Sequence, residues 1–127
     1  MKNSHLLAIV YGWITIFILL LLSSVFLSIL MKFVNITEFM LSYLALSIGI
    51  LSLLIGGIVT GMKGKEKGLV IGALTGIGFT VLTFLIQYLG YNQTFTMEQS
   101  IYHLAYIIAA MIGSIIGVNL STSRKTT

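Results

Sequence analysis

Four long apolar segments, separated by short polar ones, make up most of the chain. They cover residues 6–30, 39–62, 68–89 and 101–120. The hydrocarbon core of a bilayer is about 30 Å thick and an α-helix rises about 1.5 Å per residue, so about 20 apolar residues are needed to cross it. Each segment is long enough. The pattern therefore predicts an all-α polytopic membrane protein, a bundle of four transmembrane helices.

The composition changes this picture little. Of the 127 residues, 57% are hydrophobic and 8% are charged, whereas a soluble domain of this length needs a mostly polar surface. The polar segments are short, which predicts a single transmembrane domain over residues 1–127. The first apolar segment exceeds the ~7–15 residues of a cleavable signal peptide and no small-x-small cleavage site follows it, so we interpret it as a span.

The basic residues predict the orientation of the spans. All seven lie outside the apolar segments, and on a four-span path only Lys32 falls on the side of the first and third loops. Because loops rich in Lys and Arg stay in the cytoplasm, we expect a multi-pass protein of the cell membrane with both termini cytoplasmic. Tyr11 and Trp13 fit an aromatic belt at the inner boundary. The cytoplasmic group is Lys2, Lys63, Lys65, Lys67, Arg124 and Lys125.

Small residues recur every four positions in three of the spans. In lipid, helices associate through close backbone approach, which small residues at this spacing permit. The spacing favours packing of spans two, three and four on each other; a self-assembly surface or a pore lining is the alternative. From Gly64 onward the repeat predicts one continuous ladder in span three. The predicted helix-packing residues are Gly49, Gly57, Gly61, Gly68, Gly72, Gly76, Gly113 and Gly117.

An offset of 60 residues aligns the first two spans with the last two. It pairs Gly12 with Gly72 and Gly57 with Gly117. A tandem two-helix duplication explains these matches, and so does coincidence in a strongly apolar chain.

The segment from Lys63 to Lys67 reads as a cytoplasmic hairpin in which Gly64 takes the positive φ common at helix ends. Lys63, Lys65 and Lys67 can meet anionic lipid headgroups, at about 1 kcal/mol each. We expect lipid contact there, and no nucleic-acid partner.

Candidate chemistry is sparse. Glu38, Glu66 and Glu98 all lie at segment ends, and proton-coupled carriers usually hold a carboxylate at membrane depth. The chain has no cysteine, and one histidine beside one glutamate is too few ligands for a metal site. No nucleophile, base and orienting group converge. We expect no enzymatic activity, no cofactor and no metal.

One polar cluster is predicted near the outer boundary of the bilayer. Glu98 and Tyr102 are four residues apart and share a helix face, as do Gln99 and His103. The cluster fits a proton or cation relay, because an imidazole near a carboxylate titrates near neutral pH. It also fits an interfacial belt at the start of span four, the interpretation we favour. Its members are Gln87, Glu98, Tyr102 and His103.

The chain resembles a family of small, uncharacterised four-span integral membrane proteins of Bacillus-like bacteria. The resemblance rests on its size, its four spans, the run from Gly56 to Gly61, and Lys67-Gly68 at the start of the glycine ladder. It implies a four-helix bundle and brings no activity or site residues.

Three functional hypotheses follow. The first is a non-enzymatic accessory or assembly subunit of the cytoplasmic membrane, associating with itself or with another membrane protein. The alternative is a small channel or transporter subunit, and the third is a holin-like protein. The glycine grooves and the missing chemistry favour the first.

Overall fold

The computed structural model describes the backbone of residues 2–126 and the side chains of residues 5–121. Its four helices are α1 (Lys2–Phe33), α2 (Glu38–Gly64), α3 (Gly68–Tyr91) and α4 (Met97–Thr126). All four are long and apolar enough to cross a membrane, which confirms the predicted all-α four-span architecture. The side chains of Lys2, Arg124 and Lys125, on which part of the predicted orientation depends, lie outside the described residues.

The helices form a bundle in which α2 and α4 make the most extensive contact. Helix α1 packs mainly on α2 and α3 mainly on α4, while α1 and α3 touch only lightly. Within the described backbone α1 and α4 do not meet. Both termini and the α2–α3 connection lie at one end, here called the basic end. The α1–α2 and α3–α4 connections lie at the opposite end.

Two turns show how the sequence ends its helices. Thr37 caps α2, because its hydroxyl accepts a hydrogen bond of 3.2 Å from the Met40 backbone N–H. At the other end of α2, Lys65 takes a left-handed conformation with φ 69°, and its N–H donates to the Gly61 carbonyl at 2.8 Å.

The prediction for Gly64 is therefore wrong. The positive φ values of this turn belong to Lys65 and Lys67, and Gly64 is the last residue of α2. Gly64 is buried, and a Cβ there would press on Ile71, so the position needs a small residue for space rather than for its φ. The continuous ladder is also wrong, because the turn separates Gly64 from Gly68, where α3 begins.

Helices α2 and α4 run parallel and approach each other through facing glycines. Gly57 lies against the carbonyl oxygen of Ala110, and Gly113 lies against that of Leu54. Ala110 is three residues before Gly113, and Leu54 is three residues before Gly57, so the two contacts are equivalent. A Cβ at either glycine would overlap the opposing backbone. The absence of a Cβ therefore allows the close approach.

One turn further toward the basic end the relation is repeated. Gly61 lies against the Ser114 carbonyl and Gly117 against that of Ile58. The contact thus has approximate two-fold symmetry, with Gly61 level with Gly117. In this two-fold relation Gly57 corresponds to Gly113. The 60-residue alignment pairs Gly57 with Gly117, which lies one helical turn further along α4.

The other predicted packing glycines also face neighbouring helices. On α3, Gly68 lies against Ile115, Gly72 against Met111 and Ser114, and Gly76 against Ile107, while Gly49 of α2 lies under the Tyr106 ring. All eight predicted glycines thus face a neighbouring helix of the same chain. A small apolar core lies among them, formed by Ile16, Leu53, Phe79, Ala109 and Ala110.

Candidate functional site

The bundle interior contains a buried threonine pair. Thr60 donates to the Gly56 carbonyl at 3.0 Å, and Thr75 donates to the Ile71 carbonyl at 2.7 Å. The two hydroxyl oxygens are 3.3 Å apart and both side chains are fully buried. The Thr60 proton is used on its own helix, whereas the Thr75 hydroxyl lies within reach of both the Ile71 carbonyl and the Thr60 oxygen and donates to them, so the pair joins α2 to α3.

Trp13 attaches α1 to α3 beside this pair. Its indole N–H donates to the Thr75 carbonyl at 3.1 Å, and its ring occupies the space over Gly78. Sequence position predicted an interfacial ring at Trp13, and the structure adds a contact with α3, because Gly78 leaves room for the ring and the Thr75 carbonyl satisfies the indole N–H. Tyr11 is exposed near the basic end, where the Lys63 ammonium lies 4.9 Å from its ring centroid.

The outer polar cluster is divided by the structure into three parts. In the first, Gln87 of α3 and Gln99 of α4 form a reciprocal amide pair with hydrogen bonds of 3.2 and 2.6 Å. The Gln87 amide also donates to the Thr94 carbonyl at 3.0 Å. These bonds fasten the α3–α4 connection to the helices below it.

The second part is His103, which lies deeper than predicted and is 5% exposed. Its Nδ1 is 3.0 Å from the Thr80 hydroxyl, halfway along α3. Because the Thr80 hydroxyl donates its proton to the Gly76 carbonyl at 3.0 Å, it accepts from Nδ1–H of His103. Nδ1 of His103 is then the donor to the Thr80 hydroxyl oxygen.

Aromatic rings enclose His103. The Phe95, Tyr106 and Phe79 ring centroids lie 4.8, 5.0 and 5.8 Å from the imidazole centroid. Phe95 belongs to the α3–α4 connection, at the end of the bundle away from the basic end. It covers the imidazole from that side and also packs on Phe84.

The third part pairs Glu98 with Tyr102 at the start of α4, on the side of α2. The two residues interact across one helical turn, and with Phe39 and Tyr43 they line a shallow pocket of about 410 Å³. Glu98 lines this pocket, whereas rings enclose His103, and this separation argues against a direct relay between them.

At the basic end, His5 of α1 reaches the α2–α3 connection. Its Nε2 is 3.5 Å from a carboxylate oxygen of Glu66. Lys65 and Lys67 are exposed on either side of Glu66 and their side chains point away from the packed helices.

The ionisable side chains of the site are dispersed over the two ends of the bundle and the interior near α3. Within residues 5–121, no three side chains of the His, Asp or Glu type come together. Sequence analysis missed the Trp13 contact and the ring enclosure of His103, because both depend on partners in distant helices, and no local pattern identifies those.

Comparison with known proteins identifies one family. The sequence profile of a family described as "Protein of unknown function (DUF3792)" matches residues 5–117. The "Uncharacterized membrane protein YrzE" of Bacillus subtilis (strain 168) is 44% identical over 119 residues, which cover 94% of this chain and 79% of that protein. No solved structure matches the chain. The resemblance inferred from the sequence is thereby confirmed.

Proposed function

The chain belongs to the family of membrane proteins described as protein of unknown function (DUF3792), and we propose that it is a non-enzymatic accessory or assembly subunit of the cytoplasmic membrane. In this proposal one face of α1 packs on α2 and α3 and completes the bundle, and its other face is free. Helix α1 is the surface through which another membrane protein, or a second copy of this chain, associates.

The exposure of α1 carries the proposal. In the most apolar part of α1 only 6% of the residues are buried, against 28–39% in the other three helices. Large apolar side chains such as Leu21, Leu22 and Phe26 are more than 60% exposed. The glycine faces, in contrast, are used inside the chain, so they are not free for a partner.

The proposed partners include lipid. With both termini in the cytoplasm, Lys63, Lys65 and Lys67 lie at the inner surface, where anionic headgroups attract them by about 1 kcal/mol each. The Lys63 ammonium over Tyr11 keeps that charge near the helix ends.

The orientation can be tested with reporter fusions. A reporter that is active only in the cytoplasm is expected to be active when fused at either terminus, and inactive when inserted at residues 92–96. The basic residues of the α2–α3 connection supply the physical reason. An inactive carboxyl-terminal fusion with an active insertion would reverse the proposed topology.

Association through α1 can be tested by photocrosslinking in native membranes at endogenous protein levels. A photoactivatable residue in place of Phe26 is expected to give a protein adduct of one discrete mass. The matched control is Ile77 of α3, which is also about half exposed or more and faces away from the bundle.

If Phe26 and Ile77 both gave only lipid adducts, association through α1 would be wrong. An adduct of twice the chain mass would identify the partner as a second copy, and a different mass would identify a separate subunit.

A small channel or transporter subunit is the alternative. Its support is His103, since an ionisable residue within a span is costly and usually functional. Against it, Phe79, Phe95 and Tyr106 surround the imidazole, and the Thr60–Thr75 pair fills the interior nearer the basic end.

A further inference from the structure

A lateral opening lies between α1 and α3 in the half of the bundle away from the basic end. At its inner limit Trp13 closes the space by packing on Gly78 and bonding to the Thr75 carbonyl. One turn further along α1, the Phe17 and Phe79 rings meet with centroids 6.0 Å apart. Beyond them the helices separate and leave a crevice of about 540 Å³. We call it the α1–α3 crevice.

The polarity of the α1–α3 crevice changes along its length. Phe17, Leu20 and Phe79 line its deep part, and Gln87 and Tyr91 lie at its rim near the end of α3. The Gln87 amide is held by Thr94 and Gln99, so the rim is fixed by the α3–α4 connection. An occupant that matches this gradient has an apolar body and a polar end.

The deep part has little capacity for polar recognition. Apart from Tyr91 at the rim, Thr83 carries the one hydroxyl among the lining residues, and that hydroxyl donates to the Phe79 carbonyl at 2.9 Å. No charged side chain lines the crevice. The buried portion of the occupant is therefore hydrocarbon.

A helix cannot reach the inner end of the crevice. Helices α1 and α3 touch there through Phe17 and Phe79, whereas a helix with its side chains is about 10–12 Å across. An alkyl chain fits, because its carbon atoms need contacts of only about 3.5–4.0 Å on each side. The crevice opens sideways, toward the region that acyl chains occupy in a bilayer.

We propose that the α1–α3 crevice binds one acyl chain of a membrane amphiphile, with the polar end of the amphiphile at the rim formed by Gln87 and Tyr91. The site is independent of association through α1, because that association uses the outward face of α1 and the crevice uses the face toward α3.

Trp13 supplies a natural probe, since it is the only tryptophan of the chain and lies one turn inward from the crevice. The full chain is reconstituted in phospholipid vesicles in which a rising fraction of the phospholipid carries bromine on its acyl chains. Bromine quenches indole fluorescence at short range, so a bromine carried one helical turn away in the crevice reaches Trp13. A chain bound in the crevice is expected to quench Trp13 more strongly than contact with bulk lipid alone.

Matched variants separate the bound chain from the surrounding lipid. Thr83→Phe fills the crevice, and Val81→Phe adds the same ring to the exposed face of the same helix. Quenching is expected to fall by about half or more in Thr83→Phe, because the new ring takes the place of the bound chain, and to be unchanged in Val81→Phe.

Two further arms identify the source of the chain. A brominated free fatty acid, added to vesicles of unbrominated phospholipid, quenches Trp13 if a single-chain amphiphile binds; otherwise the brominated phospholipid is the ligand. Mass spectrometry of the unsubstituted protein after detergent exchange is expected to find one retained lipid per chain. This measurement does not depend on the folding of any variant.

Three results would overturn the proposal. One is equal quenching in the unsubstituted protein, the crevice variant and its control, which means that only bulk lipid reaches Trp13. Another is the absence of retained lipid in the mass spectrum. The third is quenching that appears only when the protein is diluted in the membrane, which means that a second copy covers the crevice.

Discussion

Replacing Gly57 or Gly113 with leucine is expected to leave little folded protein in detergent. Each glycine faces a backbone carbonyl of the other helix, Ala110 for Gly57 and Leu54 for Gly113. A side chain there must push α2 and α4 apart along their length, and these two helices make the largest contact of the bundle. Overpacking typically costs about 1–3 kcal/mol where neighbouring side chains can shift, and a facing backbone shifts less readily, so we expect the upper end or more.

Gly90→Leu is the matched control, because a Cβ at Gly90 meets no atom within 4 Å. Its melting temperature in detergent is expected to equal that of the unsubstituted protein. Gly57→Ala is expected to fall between the control and Gly57→Leu. If Gly57→Leu and Gly90→Leu melted at the same temperature, the contact between α2 and α4 would differ from the one described.

The sequence is sufficient to predict the four helices and the positions at which small residues recur. It is not sufficient to predict which helices the glycines join. That depends on the register between helices, which places Gly57 opposite Gly113, whereas the internal alignment pairs Gly57 with Gly117. The four-residue spacing also predicts that Gly64 and Gly68 lie on one helix. They lie on different helices, because a four-residue period can continue through a short turn.

The candidate site was predictable only within single helices. The four-residue spacing correctly relates Glu98 to Tyr102, but the structure places His103 in another environment. The partners that decide its environment are Thr80 of α3 and Phe95 of the α3–α4 connection. The spacing of residues along one helix does not predict contacts with other helices or connections. Trp13 illustrates the same limit. Its position near the end of a span predicted an interfacial ring, and no local pattern predicted its contact with Gly78 of α3.

A charge at position 103 is expected to destabilise the protein strongly. His103→Asp places a carboxylate among the Phe79, Phe95 and Tyr106 rings, and His103→Asn places a neutral side chain of nearly the same shape there. A carboxylate within a span costs about 2.5–3.5 kcal/mol on insertion scales, so the Asp variant is expected to be less stable than the Asn variant by about this amount at neutral pH. Asn can keep a hydrogen bond to Thr80, and the comparison isolates the charge.

Thermal unfolding in detergent at several pH values measures this difference. The gap between His103→Asp and His103→Asn is expected to shrink as the pH falls, since protonation removes the charge from the Asp variant alone. A gap near zero at neutral pH would mean that water reaches position 103, contrary to the ring enclosure.

Liposomes with an internal pH dye provide the functional readout on the same proteins. The Phe79, Phe95 and Tyr106 rings enclose the imidazole and leave its proton no route, so we expect no protein-dependent proton flux. Flux through the unsubstituted protein that His103→Asn abolishes would favour the channel or transporter subunit over the accessory subunit.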